Sequence, residues 1–286
     1  MPHFKTLTVQ SWNDIVHVVG QAREILHAAD DEECFFRGQS DMSFELLPTL
    51  QRKAKEFGWS DDQMLAKEDA FFWEFQARAH DLHGLSFDDW DYLFAMRHHR
   101  VPTRLLDWTE SFGVALYFAV KSGAGTATNR PCIWVLNPYG LNEESEWGRD
   151  LVAPRYLGWD EKEQTFYTYG DLLVEQLIDW EWPVAIYPMQ RMSRMRAQRS
   201  WFTIHGTDSR PIEKIAPKCV LRIDFDGQSE EETRDLLDLL GFDRFSIFTD
   251  LDSLADSVTS KNIEGVNKRP GSVVKARRLN RTEKKR

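Results

Sequence analysis

The sequence predicts an α+β domain in which a mostly helical first half packs on a mixed or antiparallel sheet supplied by the second half. Two observations point there. Long segments with apolar residues at helical spacing crowd the chain up to residue 120, and short apolar runs bounded by turn residues follow Asn129 and Pro131. Strands and helices do not alternate as a parallel βαβ sheet would require. No GxxxxGK, GxGxxG or GxSxG stretch occurs, so phosphate-loop, dinucleotide-fold and hydrolase-elbow classes have no support.

Each element has a local reason. Ser11 and Asp14 open a helix whose apolar face is Ile15, Val18, Val19, Ala22 and Leu26. The aromatic run ECFFR, residues 33–37, predicts a strand that turns at Gly38. Ser60 and Gln63 have capping-box spacing at the head of a helix over residues 61–83. A second helix covers residues 87–97 from a start near Ser86, with Asp88 and Asp89 placed as caps. Pro102 separates it from a third that begins at Ser111 and runs through GVALYFAV. Strands follow at residues 132–136, 184–188, 201–206 and 219–225, the last two as neighbours. Ser229 and Glu232 cap a helix through Leu240 that Gly241 ends, and residues 245–248 read as one more strand.

The organisation is one domain over residues 1–260 and a basic tail over residues 261–286. The chain has 286 residues and a formal charge of −10, yet its last 22 residues hold nine basic groups against one acid, Glu283. The remainder therefore stands at about −18. A basic tail on an acidic body fits an anionic partner such as nucleic acid, and equally a solvated terminus. No apolar stretch is long enough to span a membrane and no secretion signal opens the chain, which predicts a cytoplasmic protein. Cys34, Cys132 and Cys219 lie far apart in apolar runs, as buried free thiols do.

Candidate site residues concentrate in the stretch RHHRVPTRLLDWTESFGVALYFAV, residues 97–120. Arg37, just before Gly38, suits a forked contact to a phosphate or carboxylate, and equally a structural pairing with Asp107. Asp107, Thr109 and Ser111 can each cap the following helix, whose start offers N–H donors to an anion beside Thr103, Arg104 and Arg37. His98 and His99 diverge on a helix, so no metal is expected there; either could be an acid or a hydrogen-bond donor, or compensate the helix end. A second basic patch, RMSRMRAQRSWFTIHG, carries four arginines between Arg191 and Arg199, with Gln198 before an aromatic strand.

Taken together, ECFFRGQS, HHRVPTRLLDWTESFGVALYFA, AQRSWFTIHG and GFDRFSIFTDLDSLADSV resemble the FRG domain family, named for the triplet that stands here as Phe36, Arg37 and Gly38. The resemblance spans roughly residues 10–258. It departs from the family at Arg97 and Arg100, where glutamine and glycine are usual, and at Arg199 and Ser200, where Gln-Gly usually follows Gln198. The layout is similar to ADP-ribosyltransferase-like folds and implies NAD as substrate, without a metal. By that analogy Arg37, with Arg104, holds the NAD phosphates. Residues from Thr109 to Ser111, with Trp108 or Tyr117, support the nicotinamide, and Gln198 orients the ribose, with Glu110 as a source of negative charge. The implied activity is ADP-ribosyl transfer to a nucleic acid or protein, in the setting of a toxin or phage-defence effector. A non-catalytic nucleotide-binding or phosphate-binding module, or a nucleic-acid binder acting through the tail, is the alternative.

Overall fold

The computed structural model describes residues 4–29, 32–83, 87–121, 130–189, 191–225 and 230–263. The chain folds as an α+β structure around a seven-stranded mixed sheet. Its strands are β1 (Lys5–Val9), β2 (Phe35–Gln39), β3 (Leu105–Thr109), β4 (Cys132–Leu136), β7 (Val184–Ile186), β8 (Ser200–Ile204) and β9 (Val220–Phe225). A separate short hairpin pairs β5 (Trp159–Asp160) with β6 (Thr165–Phe166). The sheet order is β1-β9-β4-β2-β3-β8-β7, with every pairing antiparallel except β1 with β9.

The helices are α1 (Ile15–Ile25), α2 (Thr49–Phe57), α3 (Asp61–His83), α4 (Asp89–His98), α5 (Phe112–Lys121), α6 (Pro138–Glu144), α7 (Tyr169–Val174), α8 (Ser193–Ala197), α9 (Ile212–Ile215), α10 (Glu230–Leu239), α11 (Arg244–Phe248) and α12 (Leu251–Ile263). Two expected caps form. The Gln63 N–H donates to Ser60 Oγ at 3.3 Å while Gln63 Oε1 accepts from the Ser60 N–H at 3.0 Å, and Asp88 with Asp91 makes the same reciprocal box on α4. Ser86 and Ser229 lie outside the described residues.

Both faces of the sheet are buried, which is why β4 reads as an uninterrupted apolar run. Phe35, Leu106, Trp108, Trp134, Trp201 and Val220 form one core with α9. Their alternating neighbours face the other way and divide between two further cores. Leu105 and Phe202 pack with α3, α4 and α7; Phe36, Ile133, Val135 and Leu221 pack with α1 and α5. The second of these takes in Leu237 and Ile247, which ties α10 and α11 to the sheet.

Three expectations are corrected. The sheet does not come from the second half alone, because β1, β2 and β3 precede residue 110. The strands β8 and β9 are not neighbours, for β4, β2 and β3 lie between them. Residues 245–248 are not a strand but most of α11: the Asp243 side chain accepts from the Ser246 N–H at 2.8 Å, and this local cap closes a helical turn that the short apolar run FSIF conceals.

Candidate functional site

The site begins where the sheet opens. Strands β2 and β3 pair only at Phe36 and Thr109, and beyond that rung the regular ladder stops. Arg37 spans the gap: its Nη1 donates to the Asp107 carbonyl oxygen at 2.8 Å and stands 3.6 Å from Asp107 Oδ2. Arg97, from the last turn of α4, donates through Nε to the same Oδ2 at 2.8 Å and adds a second short contact through Nη2, while its Nη1 donates to Thr49 Oγ1 at 2.6 Å. All three guanidinium contacts to the Asp107 carboxylate fall on Oδ2, and its side chain remains 40% exposed.

A cleft of about 940 Å³ opens over this cluster. It lies along the seam between two of the cores, with Phe94, Met195 and Phe202 from one and Phe36, Val114 and Tyr117 from the other in its wall. Six arginines line it (Arg37, Arg52, Arg97, Arg100, Arg194 and Arg244) against two acids, Asp107 and Asp250. That is a local positive excess on a chain of net charge −10.

The crowding leaves its mark on protonation. Burial, with Arg97 and Arg52 nearby, pulls the Arg37 guanidinium down to about 10 although Asp107 works the other way. Burial and then Arg97 lower Arg52. Burial lowers Arg194, and Arg100 and Arg97 oppose its charge further, against Asp107 and Asp250. Burial penalises the charges of Arg97 and Asp107 too, but their mutual attraction outweighs it, so Arg97 is raised and Asp107 held below the ordinary carboxylate range. The Nε of Arg37 is buried and has no hydrogen-bond partner among the described residues.

The structure sorts the residues singled out in the sequence. Arg37, Gly38, His98, Asp107, Trp108, Thr109 and Gln198 are in the cleft wall. Thr109 Oγ1 donates to the Gln198 carbonyl oxygen at 2.7 Å, and the Gln198 amide donates to the Ile247 carbonyl oxygen at 3.3 Å, so this glutamine is fixed at the end of α8 rather than on a strand. Gly38 serves a close approach by backbone: a Cβ there would stand 1.8 Å from the Ala115 carbonyl oxygen of α5. Trp108 is 2% exposed, and its indole donates to Thr203 Oγ1 at 3.1 Å.

Thr103, Arg104, Glu110, Ser111 and His99 do not belong to that wall. Arg104 is buried in a separate ion pair with Glu68, gives Nη1 to the carbonyl oxygens of His205 and Gly206 at 3.0 and 3.2 Å, and so commits four of its five N–H groups inside the core, at 2% exposure. Tyr169 completes that cluster by donating to Glu68 Oε1 at 2.6 Å. Thr103 is fully buried and its carbonyl oxygen accepts from the Leu50 N–H. Glu110 Oε2 accepts from the Trp201 indole at 3.2 Å and Oε1 stands 3.5 Å from Arg199. The start of α5 is capped from within, since Ser111 Oγ accepts from the Val114 N–H and Thr109 Oγ1 from the Ser111 N–H. The anion-binding mouth expected from Arg37, Arg104 and this helix start is thus not assembled; Arg97, Arg52 and Arg100 take the place given to Arg104. Arg52 escaped sequence reading because it stands inside a charged run, QRKAKE, where nothing local separates it from the lysines and glutamate of the same helix. Arg194 belongs to the basic patch singled out in the sequence, whereas Arg244 comes from a helix of five residues, too short to register as periodic.

With this geometry in view, the comparison with known families is decisive on one point. Residues 32–127 match the FRG domain family. The FRG match covers about a third of the chain and contains Arg37, Arg97, Asp107 and Thr109, the residues at the split between β2 and β3. The FRG triplet itself does two jobs here: its arginine bridges the split and its glycine seats α5. The segments that carry Gln198, Arg194 and Arg244 lie beyond the FRG match. No curated protein and no solved structure matches the chain.

Proposed function

We propose that the arginine-lined cleft is a nucleotide site that holds the pyrophosphate of NAD. The observation that carries this reading is the excess of guanidinium groups at the sheet split, several of them partly desolvated and one with an unpaired Nε, which an anion would relieve. A cleft of about 940 Å³ with Phe94, Tyr117, Phe118, Phe202 and Phe248 in its wall has the volume and flat apolar surface that a dinucleotide's rings require. Arg37, Arg52 and Arg97 are the residues we assign to the pyrophosphate.

Bound NAD would then give its ADP-ribose to a macromolecular acceptor. In that step the bond between ribose C1′ and the nicotinamide nitrogen breaks with its electron pair on nicotinamide, a nucleophile of the acceptor bonds to C1′, and the nucleophile's proton passes to solvent. Positive charge would develop on the ribose, and the Asp107 carboxylate would supply the negative potential, with Gln198 on the same wall as the acceptor for a ribose hydroxyl. The basic tail would recruit a nucleic-acid acceptor to a body that is otherwise acidic.

A second reading, a binding module that does not turn NAD over, is favoured by one observation: Glu110 points to Trp201 and Arg199 instead of into the cleft. Incubation with NAD, following free nicotinamide and the mass of protein, DNA and RNA acceptors, separates the two. Release that is lost in Arg37→Ala supports transfer; saturable binding without release supports the module; absence of any binding by folded protein refutes the site.

A further inference from the structure

The six cleft arginines are not equivalent. Arg37 and Arg97 share Asp107, and Arg244 pairs with Asp256. Arg52, Arg100 and Arg194 have no carboxylate within salt-bridge distance among the described residues. Arg194 lies with its Cζ 4.5 Å from the centroid of the Phe248 ring, and both residues line the cleft. The lining keeps a formal excess of four positive charges, of which one pyrophosphate, at about two negative charges, answers half.

Arg100 has a further peculiarity. It follows the helix α4 C-cap, His99, and has φ +67. The Val101 N–H donates to the Met96 carbonyl oxygen at 2.9 Å and the Arg100 N–H to that of Arg97 at 3.2 Å, a Schellman ending in which Arg100 sits at the left-handed position that glycine takes without cost. Among the described residues seven non-glycine residues have positive φ, and of these Arg100 lines the cleft. The backbone does not need an arginine there, and the side chain it carries is one of the six that make the cleft positive.

We infer that Arg100 and Arg194 form a second anion subsite, for a terminal phosphomonoester, so that the better ligand is NADP rather than NAD. This rests on the nucleotide reading and adds to it a site for roughly two further negative charges. Arg194 supplies a guanidinium held on an aromatic ring, and Arg100, anchored through its backbone at a helix end, lies near enough for the two charges to oppose each other, so a compact phosphate group between them answers both.

Calorimetric titration of the full chain with NAD and with NADP, at one low salt concentration, tests it. NADP should bind about tenfold more tightly than NAD. Arg100→Gly, which relieves the backbone and so keeps the fold and melting temperature, should bring the two affinities within about twofold, and Arg194→Ala should do the same. Equal affinities in the wild type, or a preference for NADP that survives both substitutions, would overturn the inference while leaving the NAD site standing. Failure of both ligands to bind would remove the nucleotide reading and this subsite with it.

Discussion

Arg37 and Arg104 look interchangeable in sequence, each an arginine on or beside a strand, and the structure gives them opposite uses. Arg104 is 2% exposed, Glu68 fully buried, and every contact of the pair is internal. Removing one partner leaves a buried charge unanswered, so Arg104→Ala should cost about 3–5 kcal/mol and lower the melting temperature sharply. Arg37→Ala, at the split, should abolish NAD binding at a much smaller stability cost; a collapse of stability equal to that of Arg104→Ala would mean that Arg37 is structural. His205 offers a pH test next to the same pair. Burial and then the charge of Arg104 push it down to about 3, well below the ordinary value near 6.5. The folded state thus refuses a proton that the unfolded state accepts between these values. Stability should be unaffected by this group above pH 6.5 and fall by about 1.4 kcal/mol per pH unit below it. His205→Leu should flatten the slope of denaturation free energy between pH 6.5 and 5; an unchanged slope would assign that acid sensitivity elsewhere.

The packing of α5 on β2 makes Gly38 a joint between elements. A methyl group at this position would meet the Ala115 carbonyl oxygen at 1.8 Å and the Ala119 nitrogen at 2.7 Å, both backbone atoms that cannot turn aside. Gly38→Ala should therefore lift α5 and cost at least 1–3 kcal/mol. Because Val114, Ala115, Tyr117 and Phe118 are cleft wall, it should also weaken nucleotide binding beyond what the stability loss explains. Chemical denaturation together with titration at a temperature where the variant is fully folded would show it, and unaltered binding there would dissociate α5 from the site. Legibility followed the same division between local and distant causes. The α3 helix was readable because Ser60, Gln63 and its apolar spacing lie within its own span. Strand β1 was not, because its pairing partner β9 lies more than 200 residues away and only register, Lys5 with Leu221 through Val9 with Phe225, makes it a strand. The cleft was half visible. Arg37 and Asp107 stood out beside glycine and proline signals and Arg194 within its basic patch, whereas Arg52 and Arg244 join them only through tertiary packing.

Across the whole molecule, charge is segregated into three parts with different demands on an anion. The body repels polyanions, the cleft is a confined positive exception, and the last 22 residues carry nine basic groups. A small nucleotide held in the cleft as proposed would meet desolvated arginines, so its affinity should fall modestly with salt. A nucleic acid meets the body's repulsion and can gain only from the tail, so its affinity should fall steeply, with a slope of log K on log salt of several units for DNA. Deleting residues 264–286 removes all nine tail charges and leaves every described element in place. The truncated chain should keep its melting temperature and its affinity for NAD and lose its affinity for DNA and RNA. If nucleic-acid binding survives the deletion, the acidic body contains a polyanion surface of its own and the tail is a solvated terminus. If NAD binding falls with it, the tail reaches the cleft and the two anion sites are one.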